Sequence, residues 1–419
     1  MLFPMRLAPP VTKHTFFSFF MIYNKIIHRI NESSGWLSFD KLMLEALYLY
    51  SDSYYIKNNT DKTPFGKKGD FITSASLGPW LGKVLAKRFK KLVSTTPNFL
   101  RNNLIIREFG PGTGELALEI LIELDQVNCL PHRYEFYEVS SSMITNQKKT
   151  IELSIERFSK DTRKKIMDLC FWKLVVPEPN KFIPDKYELV NGLVIANEVV
   201  DSFPVKIFSW EPKNQAETNK ILEYGVSVDG NGNMVGKFNE ACAALRENVL
   251  KRCTQSRLRG KPWKNPRLGE WNVYTKDWIR KVLDSFDYGA AVIIDYGSER
   301  LDIDHSERRD TTVSAFSNHH QISDLNEIIS RTGNIDITHQ VDFTSLIEEI
   351  TKDKELTFTL QTQAAWLIDN GILEDAEKLF LKLENNNLEL LELKKSLQYL
   401  LLESEMGSSF LVLDILKEY

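Results

Sequence analysis

The 419-residue sequence predicts a doubly wound α/β fold, and three observations carry that prediction. Short apolar runs of buried-strand type recur at residues 104–109, 134–139, 193–196 and 290–294. Segments with helical periodicity separate most of them, and strands alternating with helices imply a mainly parallel sheet covered on both faces. A turn with glycines at alternate positions, Gly110-Pro111-Gly112-Thr113-Gly114, joins the first run to a helix.

The elements follow in order. Residues 22–50 carry helical periodicity in two pieces broken at 31–35, and a turn-rich loop follows at 51–70. Thr73 or Ser74 is expected to cap a helix from about 77 to 92, with Pro79 near its first turn. Residues 1–100 therefore read as a helical N-terminal segment with a covering loop. The core is expected over 101–345, as strand 104–109, helix 115–124, strand 134–139, a helix from 141 to about 158, and strands 193–196 and 290–294. Within it the alternation lapses over about 210–271. There, 221–228 and 234–238 flank Asp229-Gly230-Asn231-Gly232-Asn233, a strong hairpin signal that marks an inserted subdomain. Residues 346–419 read as a helical C-terminal segment with an acidic, Leu-rich tail.

Composition narrows the function classes. A chain this long exceeds what one compact core usually holds, which fits one domain with added pieces. Lys+Arg 53 against Asp+Glu 57 leaves a net charge of −4, which argues against nucleic-acid binding by bulk charge. Cys129, Cys170, Cys242 and Cys253 form no CxxC pair and read as free thiols in a reducing compartment. The histidines lack metal-ligand spacing, so no metal site is expected. No stretch approaches the roughly 20 apolar residues of a membrane span.

The sharpest chemical motif is Glu108-Phe109-Gly110-Pro111-Gly112-Thr113-Gly114, between a strand and a helix. Its glycines allow close backbone approach to a ligand, and the helix start offers unpaired N–H groups. A dinucleotide fingerprint needs glycine at the sixth position, where this chain has Glu115. A carboxylate there repels a pyrophosphate. S-adenosylmethionine carries no phosphate, and its cationic sulfonium and amino groups suit Glu108 and Glu115. Glu138 ends the next strand, where an acid accepts hydrogen bonds from ribose hydroxyls, unless it is merely a solvated strand end.

Asn197-Glu198-Val199-Val200-Asp201-Ser202-Phe203-Pro204 directly follows an apolar strand, at the sheet end where ligands of open α/β folds sit. A helical turn after Asn197 would place Glu198 and Asp201 on one face at i,i+3. Two carboxylates there could hold a cationic acceptor or take its proton. The plainer alternative is that Asp201 caps a turn before Pro204.

With these residues in view, the chain resembles the MidA-like methyltransferases, which include bacterial proteins and the mitochondrial assembly factor of respiratory complex I. The similar segments are Phe65-Gly66, Gly69-Asp70-Phe71-Ile72-Thr73, Glu108 to Gly114, and Glu138-Val139-Ser140 with Gln147. They continue with Asn197-Glu198, Asp201, Pro204-Val205, Ile294-Asp295-Tyr296-Gly297, Asp336-Ile337-Thr338, Val341-Asp342-Phe343 and Met406-Gly407. The resemblance implies a Rossmann-like methyltransferase sheet, S-adenosylmethionine as cofactor, and methyl transfer to a protein. For the mitochondrial members the acceptor is an arginine of a complex I subunit. It implies that Gly110, Gly112, Gly114 and Glu138 bind the cofactor, and that Asn197, Glu198 and Asp201 line the acceptor side. Asp70 and Thr73 would belong to a segment closing over the site.

Residues 361–367 look like the proteobacterial branch, which favours a bacterial cytoplasm. The alternative is the mitochondrial matrix, since no acid precedes Glu32 while Arg6, Lys13, Lys25 and Arg29 are basic, a composition that permits a transit peptide. Three departures stand out. Thr73-Ser74-Ala75-Ser76 replaces the family's Thr-Ser-Pro-Glu or Thr-Ala-Pro-Glu, Asp310-Thr311 stands where Gly-Thr is usual, and a glutamate expected near Asn272-Val273 is missing. They keep a second reading open: a weakly active or inactive cofactor-binding assembly protein on the same fold. An NAD-dependent oxidoreductase is the third, and Glu115 counts against it.

Overall fold

The computed structural model describes residues 13–57, 73–212, 220–317, 320–383 and 387–418. Seven strands form the core of the main sheet: β1 (Ile105–Phe109), β2 (Arg133–Glu138), β3 (Cys170–Leu174), β4 (Val190–Asn197), β5 (Phe286–Ser298), β6 (Leu356–Thr362) and β7 (Phe410–Lys417). Their order is β3-β2-β1-β4-β5-β7-β6. The first five pair in parallel, while β7 runs antiparallel to both β5 and β6. Strand order reverses between β1 and β4, so their carboxyl ends open onto a topological switch point, the usual ligand crevice of such sheets.

Strand periodicity divides the apolar residues between two cores. Ile106, Leu193, Ile195, Val292 and Ile294 face one side, and Phe109, Val194, Ala196, Ala291 and Ile293 face the other. The first core is covered by α2 (Trp80–Thr95) and α3 (Glu115–Gln126), while α1 (Lys13–Glu32) packs on the second through Ile22, Ile26 and Ile30. The following helix, α4 (Ser141–Ser154), is capped by the Ser140 hydroxyl and gives way to a 3-10 turn at Ile155–Arg157, short of the expected 158.

The helix expected to start at 77 starts instead at Trp80. Gly78 takes φ +102°, Pro79 occupies the cap position, and neither Thr73 nor Ser74 caps the helix. Ser74–Ser76 forms a separate 3-10 turn whose first residue is committed to the site. The C-terminal region is helical at Gln363–Asp369, Ile372–Lys382 and Asn387–Leu401, as expected. It also returns β6 and β7 to the main sheet. Their sequences, LTFTLQT and FLVLDILK, border Leu-rich helices and merge with them when periodicity alone is read.

A second sheet holds Val205–Glu211, Lys220–Val228, Met234–Glu240 and Arg267–Asn272, joined by Leu37–Ser38. The hairpin turns at Asp229, whose Oδ1 accepts the N–H groups of Asn231 (2.9 Å) and Asn233 (2.8 Å). A third sheet pairs Ser314–Ser317 with His320–Ile322 and Asp336–Thr338, and it brings Asp336 towards the end of β4. Among the described residues no helix is long and apolar enough to cross a membrane.

Candidate active site

A cavity of about 680 Å³ opens where β1, β2 and β4 end. The glycine turn forms one wall. Gly110, Gly112 and Gly114 have φ of +58°, +53° and +84°, conformations that side-chain-bearing residues rarely adopt. A Cβ on Gly110 would lie 3.0 Å from Val199 Cγ2, so this turn and the acceptor-side turn abut. Gln147 ties the wall together by donating Nε2 to Gly112 O (2.9 Å) and to Glu138 Oε2 (2.8 Å).

Glu138 lines the cavity at the end of β2 and is buried, not a solvated strand end. Its Oε1 accepts Val139 N (2.7 Å) and Ser140 N (3.0 Å), so with Gln147 three of a carboxylate's roughly four acceptor sites are taken. Burial pushes its carboxyl up to about 7, against the pull of these donors. Glu108 also lines the cavity. Its Oε2 accepts the Tyr134 hydroxyl at 2.7 Å, and burial, aided by the charge of Glu138, holds it at about 7.

Asn197, Glu198 and Asp201 all reach the cavity, though not as one helical face. Glu198 adopts φ +55°, and only Val200–Ser202 forms a short 3-10 turn. Glu198 Oε1 accepts Ser74 N (2.8 Å), Ser74 Oγ (2.8 Å) and Asn197 Nδ2 (3.2 Å). Asp201 is pushed well above the usual carboxylate range by burial and by the charges of Asp295, Asp336 and Glu198. Thr73 lines the cavity, while Asp70 falls outside the described residues.

Several residues at the site were not placed there from the sequence. Asp336 lines the cavity and accepts the Tyr55 hydroxyl at 2.6 Å. Tyr48 donates to Ser202 Oγ at 2.8 Å, and its ring meets Phe182 edge-on at 5.1 Å. Asp295 lies behind the Asn197–Asp201 turn, and Ser74 clasps Glu198. Of these, Asp295 and Asp336 stand in segments that carry the family resemblance, which was the available signal, while Ser74 falls in the stretch that departs from the family pattern.

Among the described residues, seven carboxylates line the cavity, those of Glu108, Glu115, Glu138, Glu198, Asp201, Asp336 and Glu405. Among the described residues lining it there is no lysine, arginine or histidine. Such a chamber rejects a pyrophosphate and favours cations. No group of three or more potential metal ligands occurs among the described residues.

Of the three departures from the family pattern, only one touches this chamber. Ala75 and Ser76 are on its wall. Asn272 instead lies two residues before the cap position of α5 (Thr275–Asp284), its Oδ1 accepting Tyr274 N (2.9 Å) and Thr275 N (3.0 Å). Thr311 donates to Glu270 Oε2 at 2.6 Å, away from the cavity.

Comparison with known proteins agrees with this geometry. A family model described as "Putative S-adenosyl-L-methionine-dependent methyltransferase" matches residues 80–361, most of the chain. The chain belongs to this methyltransferase family. It is 23% identical over 328 residues to the mitochondrial protein arginine methyltransferase NDUFAF7 homolog of Caenorhabditis elegans, covering 76% of this chain and 69% of that one. It is 23% identical over 355 residues to the mitochondrial protein arginine methyltransferase NDUFAF7 of Mus musculus, covering 81% and 72%. In fold it is similar to a Burkholderia thailandensis protein solved bound to S-adenosyl-homocysteine. That match has a TM-score of 0.80 at 22% identity and covers 98% of this chain and 95% of the other. As a member of this family, the chain is an S-adenosylmethionine-dependent methyltransferase.

Proposed function

We propose that this methyltransferase acts on arginine in a protein, with Asp201 as proton acceptor and Glu198 and Asn197 as acceptor-side groups. The observation that carries the proposal is the chamber lined by acids and, among its described residues, by no base. Its cofactor side is Gly110, Gly112, Gly114, Glu108 and Glu138. The glycine turn admits close approach of a nucleoside, the open acceptor site of Glu138 suits a ribose hydroxyl, and the acids offset the cofactor's positive charges. When bound, the sulfonium supplies an electrophilic methyl group.

The acceptor side answers the difficulty of arginine as a nucleophile. Its guanidinium stays protonated at any physiological pH and must lose a proton as a nitrogen is methylated. Asp201, buried among like charges, has the raised proton affinity a general base needs. Glu198, pinned by Ser74 and Asn197, holds the cation by charge. Tyr48 and Tyr55 add aromatic faces beside it. The names of the relatives support arginine in a protein, and the family resemblance supports a subunit of a respiratory complex. We place the activity in a bacterial cytoplasm, with the mitochondrial matrix as the alternative that the relatives' names favour.

The missing acid at Ser76, on the cavity wall, favours a second reading in which the protein binds cofactor and partner without turnover. Mass spectrometry of respiratory complexes from cells with and without the gene separates the two. The proposal expects an arginine methylated only when the gene is present, and identical methylation in both would contradict it.

A further inference from the structure

We propose that Asp295 is the positioning residue of the acceptor site: its carboxylate builds the turn that presents Glu198 and Asp201, and it sets a like charge behind Asp201. The inference rests on the reading of Asp201 as proton acceptor.

Asp295 is fully buried near the carboxyl end of β5 and does not line the cavity. Pairing of Ile294 with Asn197 brings it alongside the residues that follow β4. Three consecutive backbone N–H groups converge on its Oδ2, from Val199 (3.2 Å), Val200 (2.8 Å) and Asp201 (3.2 Å). Its Oδ1 accepts Tyr296 N at 2.8 Å. Successive N–H groups turned inward make an anion-binding nest, and here the anion belongs to the protein. All four partners are donors, so a protonated carboxyl would aim its O–H at an N–H group. Burial pushes Asp295 up to about 7, and the N–H groups oppose that push.

Two consequences follow for the acceptor site. The turn can hold Glu198 at φ +55°, where an isolated glutamate is strained, because the nest fixes the three residues after it. The same carboxylate sets a negative charge behind Asp201. The other groups facing Asp201 are Glu198 on its own turn, Asp336 on the third sheet, and Tyr48 and Tyr55 from the N-terminal segment. Burial raises both tyrosines well above their ordinary value, so they stay neutral. His339, whose N–H donates to Asp201 O at 3.0 Å, is lowered by burial and is also neutral near pH 7. The charges acting on Asp201 are therefore carboxylates, and Asp295 is the one bonded to its backbone.

The test is carboxyl-carbon NMR of the full-length protein labelled at aspartate, with the Asp201 signal assigned by its loss in Asp201→Asn. Asp201 should titrate above the usual carboxylate range, and Asp295→Asn should lower its midpoint by about 1 pH unit, the scale of one removed like charge. Calorimetric affinity for S-adenosylmethionine should stay within about threefold, since Asp295 lines no part of the cavity. A midpoint unmoved by Asp295→Asn would overturn the proposal, because loosening of the turn alone leaves no like charge removed. Should that variant fail to fold, Asp201 is followed in Glu198→Gln/Asp336→Asn, which leaves Asp295 as the carboxylate acting on it: two linked steps support the proposal, and one simple step overturns it. These titrations need no acceptor. Loss of the arginine reading, through unchanged turnover in Asp201→Asn, would therefore be seen separately.

Discussion

Glu138 shows what a single residue contributes. Three protein donors hold its carboxylate in place, and a ribose hydroxyl would complete the set. Glu138→Ala should weaken S-adenosylmethionine binding by about 1.5–3 kcal/mol, the range for a hydrogen bond to a charged group. Glu138→Gln should lose less, because an amide oxygen still accepts. Calorimetry on both variants checks this, and unchanged affinity in both would remove Glu138 from the cofactor site. Gly112→Val forces a branched side chain onto φ +53° and should abolish the rise in melting temperature that cofactor produces. A folded Gly112→Val protein binding with wild-type affinity would contradict the assignment. The glycines and strand-end acids were legible because their meaning is local: strand, turn and helix are contiguous. Ser74, read as a possible helix cap, and Asp336 were not placed in the site, because their partners lie far off in sequence, Glu198 at 124 residues and Tyr55 at 281. No pattern within a window joins residues that far apart.

Between elements, α2 and α3 meet at Gly82. A Cβ there would lie 2.5 Å from Glu119 Cβ, an atom fixed to the α3 backbone. Helix propensity alone predicts that Gly82→Ala stabilises by about 1 kcal/mol. Overpacking of a close helix contact costs about 1–3 kcal/mol, so the net effect should be destabilising. Urea denaturation gives the sign, and a stabilised variant would show that the helices separate freely. The four apolar strands read from sequence are present, the first two within one residue of their expected bounds and the last two longer at both ends, because continuous apolar runs signal strands buried on both faces. β3 escaped notice as a sheet-edge strand whose apolar residues Phe171 and Leu174 are exposed.

For the whole molecule, the buried acids make stability depend on pH. Glu108, Glu138 and Asp295 are each held at about 7 in the fold, and Asp201 is raised well above the usual carboxylate range. Unfolded, such groups titrate near 4, so between about pH 4.5 and 7 the folded state binds more protons and stability falls as pH rises. His339, lowered by burial, acts in the opposite sense, but it is one group against these four and Glu198, which burial also raises. The ligand-free protein should therefore melt lower at pH 8 than at pH 5.5, and S-adenosylmethionine should raise the midpoint more at pH 8. Scanning calorimetry at both pH values tests this, and a higher ligand-free midpoint at pH 8 would contradict it. The doubly wound plan was legible because alternation of strands and helices extends over the middle of the chain. Closure of the sheet by β6 and β7 was not, since it depends on how the last 64 residues return to strands laid down earlier. The acid-lined chamber at the ends of β1, β2 and β4 gives the molecule its chemistry, and Asp201→Asn probes it at the proton acceptor. S-adenosylmethionine affinity should stay nearly unchanged while methyl transfer to the arginine acceptor slows by roughly 10²-fold or more, the scale of a lost general base. Turnover equal to wild type in Asp201→Asn would contradict the account.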